Sequence, residues 1–325
     1  MTVRIAALRR PLGTSSKRSR AWQHGDLLYR LILLMAGIGV IGLMLGIGWE
    51  LWTSSELSRT AFGFNFLFSA AWDPAITDMF GAFPYILGTL VTSAIAVVIA
   101  VPISLGTAIF LAELAPHWIA GPVGTLVELL AAVPSVIYGL WALFVLVPVV
   151  IKPLGLELSS SLGFIPFFAG PVYGPSRLAA GVILAIMILP TITAISRDVL
   201  RVIPGGQREA SLALGATRWE TLWKVMLPYG RSGILGGIVL GLGRALGETI
   251  AVTMVIGNNL DLSPSLLHPG YTMASIIANE FTEATFPLYT SALIEIGLVL
   301  FVFTLIINVG AQALVWRVRG ARGTV

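Results

Sequence analysis

Cysteine is absent from this chain, histidine occurs three times, and charge is scarce. Without cysteine there is no disulfide framework, thiolate metal site or cysteine nucleophile. His24, His117 and His268 lie far apart in sequence, which disfavours a histidine metal site. Charged residues make up 11% of the chain, under half of the ~25% usual in soluble domains. No G-x-x-x-x-G-K-[ST] occurs, so the chain does not bind nucleotide through a P-loop. One G-x-G-x-x-G is present, at Gly37, Gly39 and Gly42. It lies inside a long apolar run with no strand before it, where a dinucleotide fingerprint does not fit. No H-E-x-x-H, G-x-S-x-G or paired-carboxylate arrangement stands out. An enzyme is therefore not expected, and neither a catalytic residue nor a metal ligand is assigned.

What the chain has is apolar residue, 56% of the total, with a mean hydropathy of +0.90. One soluble core cannot hide that much, which points to an integral membrane protein and excludes a cytosolic enzyme, a secreted domain and a disordered tail. A spanning helix takes about 20 mostly apolar residues. Six runs qualify, at about 27–51, 84–111, 121–150, 178–196, 231–257 and 289–315. The first follows a polar tail, is too long for a signal peptide and lacks a small-residue cleavage site, so it reads as an uncleaved helix. With the N-terminus inside, sixteen of twenty Lys and Arg fall inside: Arg4, Arg9, Arg10, Lys17, Arg18, Arg20, Arg30, Arg197, Arg201, Arg208, Arg218, Lys224, Arg231, Arg317, Arg319 and Arg322. Arg59, Lys152 and Arg177 remain outside, and Arg244 falls within a span. That bias sets both termini on the cytoplasmic side. Phe62, Phe64, Phe66 and Phe68 alternate, as in a short strand or an interfacial strip. Trp49, Trp52 and Trp72 suit the aromatic belt at the headgroups.

Charge at membrane depth costs at least ~2.5–3.5 kcal/mol and needs a partner or a function. The clearest case is Gly243-Arg244-Ala245-Leu246-Gly247-Glu248-Thr249. In a continuous fifth span Arg244 sits near the midpoint, and Glu248 follows on the same face at i,i+4. Gly233, Gly237 and Gly241 share that face, and such a ridge lets a neighbouring helix approach closely. The pair then faces a partner helix or a pore between subunits. One reading is an anion path, with Arg244 offering fixed charge and bidentate donors to an oxyanion while Glu248 holds the guanidinium. The other is a structural ion pair, shared with Glu128 or Glu295. Ala131-Ala132-Val133-Pro134-Ser135 predicts a kink in the third span, with Ser135 able to satisfy freed backbone or line a pore.

The largest inside loop, about 197–231, is broken by Pro204-Gly205-Gly206. Gln207 to Leu214 is helix-competent, and Gly215 suits a turn between two helices. Thr217-Arg218-Trp219-Glu220 reads as a capping box. The second helix is expected to stop at Pro228, with Trp219, Leu222, Trp223 and Met226 forming one apolar strip. A helical hairpin of this kind suits docking to a partner, and equally a helix lying on the membrane surface.

Glu209-Ala210-Ser211-Leu212-Ala213-Leu214-Gly215 and, after nine residues, Val225-Met226-Leu227-Pro228 resemble the EAA loop of ABC importer permeases. That pattern is E-A-A, three residues, G, nine residues, I-x-L-P. Ser211 and Val225 depart from it mildly. The resemblance extends over nearly all of the chain after the N-terminal tail. Gly88-Thr89-Leu90-Val91-Thr92-Ser93, Glu128 to Ser135, Leu242 to Thr249 and Ala278-Asn279-Glu280-Phe281 are similar to the PstC-type phosphate permease family. It implies an all-α integral membrane protein of six transmembrane helices with the type I ABC importer permease fold, importing inorganic phosphate.

The implied layout is a basic cytoplasmic tail at 1–26, a first helix with outer loop at 27–83, a permease core at 84–316 with its EAA loop at about 207–228, and a short cytoplasmic tail at 317–325. Carried over by resemblance, Arg244 and Glu248 belong to the substrate path, with Ser135 and Thr249 as further candidates. Glu209, Ala210, Gly215, Leu227 and Pro228 belong to the ATPase-coupling loop. The implied partners are a homologous permease subunit (PstA-like), an ATPase dimer (PstB-like) and an extracytoplasmic phosphate-binding protein (PstS-like), besides membrane lipid. No cofactor is expected on this chain, since ATP and Mg would sit on the ATPase, and no nucleic acid is expected. A permease for molybdate or sulfate, or an ATP-independent secondary transporter, stays open; no inverted repeat of the secondary-transporter kind is visible.

Overall fold

The computed structural model describes the backbone of residues 20–260 and 262–320. The expected basic tail lies outside it up to residue 19, with Arg4, Arg9, Arg10, Lys17 and Arg18, as does Arg322. Among the described residues the chain is helical, with isolated bridges at Asp73–Met79 and Gly257–Gly270. Six helical stretches are long and apolar enough to cross a membrane: Leu27–Ser54, Phe83–Leu114, Ser135–Leu162, Arg177–Arg201, Arg218–Gly247 and Pro287–Arg317.

Two compact units are distinguished, one ending at Glu50 and one starting at Leu51. The first holds most of α1 (Arg20–Ser54), whose apolar side chains from Leu27 to Leu45 are exposed, as expected of a surface that lipid covers. The second begins with α2 (Glu56–Phe62) and the turn that follows it. Then come α3 (Phe83–Ile109, closing in a wide turn at Phe110–Leu114), α4 (His117–Ala131), α5 (Ser135–Trp141), which runs on through a π-helical stretch (Ala142–Ile151) into α6 (Lys152–Leu162), and α7 (Arg177–Arg201). The remainder is α8 (Gly205–Ala213), α9 (Arg218–Thr221), a π-helical turn (Leu222–Met226), α10 (Leu227–Gly247), α11 (Ile250–Val255), α12 (Met273–Glu280) and α13 (Pro287–Gly320).

Helix α7 is the axis of the second unit, packed by α3 on one side and α10 on another. Lipid is as apolar as a leucine side chain, so close packing of small residues must hold helices together. Ala96 and Ala100 of α3 and Ala179, Ala180 and Ala185 of α7 are buried to 1% or less. Polar bonds cross the same seam: Ser104 donates to the Leu189 carbonyl at 3.1 Å and Thr193 to the Ser104 carbonyl at 3.5 Å. Ser176 starts α7 by accepting from the Ala179 amide at 3.2 Å.

A second core lies where the connections after α2 and α11 meet α3 and α13. Trp72 stacks edge-on against Phe80 at 5.0 Å and Tyr85 at 5.1 Å. Trp72 Nε1 and the Tyr289 hydroxyl both donate to Glu280 Oε2, at 2.7 and 2.6 Å. Here the alternating phenylalanines are neither a strand nor a uniform strip. They lie on a helix and a 3₁₀ turn, with Phe66 fully buried and Phe64 and Phe68 exposed. Trp72 belongs to this core rather than to the belt, because its indole N–H has the half-buried Glu280 carboxylate to bond.

Two expected spans and one expected helix end need correction. The third does not run from 121 to 150. Helix α4 stands apart, the backbone breaks over Ala132–Pro134, and the apolar helix continues to Leu162. Pro134 is therefore a terminus rather than a kink, preceding the first residue of α5 in the conformation proline prefers. Lys152, expected outside, consequently begins α6 within that apolar stretch. The fifth does not run unbroken to 257, because α10 stops at Gly247 and α11 starts anew at Ile250. Nor does Pro228 end a helix. The π-helical turn before it absorbs the missing N–H, and Arg218–Gly247 is one long helix.

Candidate functional site

Arg244 lies in the last turn of α10, not at the midpoint of a continuous helix. Glu248 ends that helix with φ −70° and ψ 126°, an extended conformation. The i,i+4 geometry expected for the pair is therefore absent. Glu248 Oε1 instead accepts from the Ala251 amide at 3.4 Å, at the start of α11. Thr249 donates to the Gly247 carbonyl at 3.2 Å, and its own carbonyl accepts from the Thr253 hydroxyl at 2.8 Å. Among the described residues no carboxylate is in ion-pair contact with Arg244. Arg244 is half-buried, as are Glu248, Thr249 and Ser135.

The two helix breaks are neighbours. Gly139 of α5 meets α11 so closely that an added Cβ would sit 3.0 Å from Ala251 Cα and 2.6 Å from Met254 Sδ. Tyr138, beside it, donates across the first break to the Leu130 carbonyl at 2.8 Å and lies within electrostatic reach of Arg244. Interrupted helices are tolerated at membrane depth where their backbone is buried in protein or lines a cavity, and they mark binding sites in many transporters. Arg244, Tyr138, the unwound 247–249 backbone and the start of α5 thus form one polar neighbourhood.

The glycine ridge faces α7 of the same chain. An added Cβ would lie 2.5 Å from Val199 Cγ2 at Gly233, 3.0 Å from Ile195 Cγ2 at Gly237, and 2.9 Å from Ile192 Cγ1 at Gly241. The other two carboxylates expected at membrane depth have separate surroundings, and Glu128 lies on α4, outside the six long apolar stretches. Glu128 of α4 pairs with Arg197 of α7 at 2.7 Å, and Glu295 of α13 is buried beside Ser58 and Arg59.

The 205–228 region is a helical hairpin. Gly215 has φ +89°, which side chains rarely adopt, with open space around it. Thr217 accepts from the Glu220 amide at 3.2 Å while Glu220 Oε2 accepts from the Thr217 amide at 3.0 Å, a complete capping box. The expected apolar strip divides. Leu222 and Met226 are buried with Leu200 and Ile203, whereas Trp219 and Trp223 are exposed and in edge contact at 5.5 Å. Glu209, Ala210 and Leu214 are exposed, and Leu227 and Pro228 are half-buried.

Three contacts of this region were not anticipated. Arg208 of α8 pairs with Glu113 at the end of α3, and Arg201 donates to the Leu111 carbonyl at 3.4 Å. Ser211 and Thr221 share a hydroxyl bond at 2.9 Å between α8 and α9. A signal for the first existed: Glu113 falls in a short inside loop without cations, opposite a loop rich in arginine. Among the described residues no cluster of three or more His, Asp or Glu could hold a metal ion.

The family model described as "binding-protein-dependent transport system inner membrane component" matches residues 100–320. The "Phosphate transport system permease protein PstC" of Mesorhizobium japonicum is 46% identical over 302 residues, 92% of this chain and 92% of that protein. The protein of the same description from Pasteurella multocida is 46% identical, covering 92% and 94%. A PstC 2 of Mycobacterium tuberculosis is 41% identical, covering 91% and 93%. Among solved structures, a bacterial alginate ABC transporter in complex with an alginate pentasaccharide-bound periplasmic protein matches with a TM-score of 0.59 at 17% identity, over 92% of this chain and 98% of that one. A second alginate importer structure matches at 0.52 and 20% identity, over 92% and 99%. At that identity the likeness carries the fold alone, that of a type I ABC importer permease.

Proposed function

This chain belongs to the family of binding-protein-dependent transport system inner membrane components, and from that premise we propose that it is the permease subunit through which an ATP-driven importer passes inorganic phosphate. The observation that carries the reading is identity of 41–46% over nine-tenths of the chain to permeases described as phosphate-transporting. The chain is a multi-pass membrane protein and works with an ATPase and a binding protein. More specifically, its companions are a PstA-like permease, a PstB-like ATPase dimer that holds ATP and Mg, and a PstS-like phosphate-binding protein. Both termini lie in the cytoplasm, in keeping with the arginine and lysine bias.

The binding protein docks on the outer connections, roughly 52–83, 163–176 and 258–286, and hands over phosphate. ATP binding closes the ATPase dimer. The 205–228 hairpin follows, and the paired permeases turn from inward- to outward-facing. The anion passes near Arg244, whose guanidinium supplies charge and a fork of donors. What supports Arg244 in this role is that, among the described residues, no carboxylate is ion-paired with it beside two interrupted helices. Glu248, four residues on and turned to the start of α11, adds a negative charge that tempers affinity, because conduction requires release as well as binding. Ser135 and Thr249 supply hydroxyls at the same level. Release of phosphate and hydrolysis then reset the assembly.

The test is uptake of labelled phosphate into vesicles holding this chain with the permease, ATPase and binding protein of its own system. ATP-dependent uptake resisting sulfate and molybdate is expected. Uptake without ATP, or competition by either anion, overturns the reading. In the same vesicles Gly215→Val, which forces a β-branched residue into left-handed backbone at about 1–3 kcal/mol, should leave ATP hydrolysis no longer stimulated by loaded binding protein. Normal stimulation counts against the hairpin as the coupling element.

A further inference from the structure

Glu295 takes no part in the proposed path. It is 6% exposed, and its Oε2 has no partner at hydrogen-bond geometry among the described residues, with the Ser58 hydroxyl beside the carboxylate as its nearest protein donor. It lines a groove of about 650 Å³ whose other walls are almost wholly apolar, among them Phe64, Phe68, Leu298, Val302, Phe303 and Ile306. Arg59 lies at the same groove. It is held rigidly: Nε donates to Ser55 Oγ at 3.1 Å, Nη2 to the Trp52 carbonyl at 2.6 Å, and the guanidinium lies 3.7 Å from the Trp52 ring centre. Its charge reaches Glu295, yet the two make no ion pair among the described residues.

Depth is informative. The apolar stretch Pro287–Arg317 has 31 residues, about 46 Å of helix. A bilayer core of ~30 Å centred on it leaves about 8 Å at each end. Glu295 lies about 12 Å from Pro287 and so just inside the core boundary, where headgroups meet acyl chains. From Glu295 to Ile306 is about 16 Å along α13, close to the ~15 Å of one leaflet.

We propose that this groove binds a zwitterionic aminophospholipid of the phosphatidylethanolamine class, its ammonium on Glu295, its phosphate on Arg59 and one acyl chain along the apolar wall to Ile306. A fixed cation and an unpaired carboxylate, close but not joined, match the two charges of that headgroup. A primary ammonium also brings the hydrogen-bond donors that the orphaned Oε2 lacks. A choline headgroup brings no N–H, and a glycerol headgroup brings no positive charge.

The assembled transporter, extracted gently, is examined by native mass spectrometry after reconstitution with phosphatidylethanolamine, phosphatidylcholine and phosphatidylglycerol in equal amounts. Selective retention of phosphatidylethanolamine is expected. Glu295→Gln keeps the shape but loses a charge-assisted bond, so occupancy should fall about tenfold and selectivity should vanish. Val302→Trp leaves both charges and fills the groove, and should exclude the lipid. Because the chain has no cysteine, Val302→Cys gives a single reporter for cross-linking. Full retention by Glu295→Gln, equal retention of phosphatidylglycerol, or efficient cross-linking of Val302→Cys to the companion permease would each overturn the proposal. The last would mean that protein covers the groove.

Discussion

Arg197 and Arg244 lie toward the C-terminal ends of neighbouring helices, α7 and α10, and their surroundings are built on opposite plans. Arg197 is 7% exposed, with Nη2 at 2.7 Å from Glu128 and 2.8 Å from Asp198. It also fills the space above Gly124, where an added Cβ would lie 2.5 Å from its Nη1. Gly124 and Glu128 of α4 thus seat Arg197 and tie α4 to α7, while Asp198 of α7 itself holds the guanidinium in place. Arg244 is half-buried and makes no ion pair among the described residues, though a carboxylate follows four positions later. Spacing in sequence did not decide which arginine is paired. Glu128 lies 69 positions from Arg197, yet their helices pack. Glu248 is turned away from Arg244 by a helix end. A saturated guanidinium serves as a fixture, whereas one left without a counter-ion at membrane depth can take it from an anionic cargo.

The contrast can be broken most sharply at Arg244. Arg244→Gln is expected to lower phosphate uptake by at least about 100-fold, the loss of a charge-assisted bidentate contact, while the transporter assembles normally. Normal uptake by an assembled variant would remove Arg244 from the path. Next in size, Arg197→Gln should cost about 2 kcal/mol of stability, reduced from the fully buried case because both carboxylates are half-exposed. Thermal unfolding and yield of the complex would fall, with uptake per assembled complex unchanged. A slowed rate per complex would erase the distinction between the two ends. Glu248→Gln should tighten the apparent KM for phosphate by roughly three- to fivefold and slow turnover, as expected for one partly screened like charge. An unchanged KM would detach Glu248 from the anion. Glu128→Gln should be mildest, below about 1 kcal/mol in thermal unfolding, since Asp198 still holds Arg197. A larger loss would make α4 more dependent on that bond than its exposure suggests.

The sequence was most legible where single residues impose local geometry. Gly215 reads as the turn and is found at φ +89°, and Thr217 with Glu220 reads as the capping box that forms. Long apolar runs report the spans because length and hydropathy are all that lipid demands. The candidate site was half legible. Arg244, Glu248 and Thr249 are adjacent in sequence, but their relation depended on whether the helix continues. Gly247, exposed with nothing within 4 Å, was the available clue. The sequence predicts a kink at Pro134 and the backbone breaks there instead, because proline in a helix leaves its neighbours to decide between bending and breaking. The contact of Gly139 with Ala251 and Met254 belongs to the broken form. Trp72 and the phenylalanines depart from the expected belt because exposure of an aromatic depends on partners such as Tyr289 and Glu280, some 200 positions away.

Composition and the length of the apolar runs determined that this protein lies in the membrane and that about six helices cross it, and the sequence carries no G-x-x-x-x-G-K-[ST] loop. Those conclusions follow from transfer energies and from the backbone geometry a nucleotide requires, which are properties of short stretches. Only the tertiary structure decided where those helices stop, which carboxylate holds which arginine, and which aromatic ring is buried. Each of these is set by contacts between residues tens to hundreds of positions apart, and at membrane depth a polar group takes whichever partner the packing brings within reach.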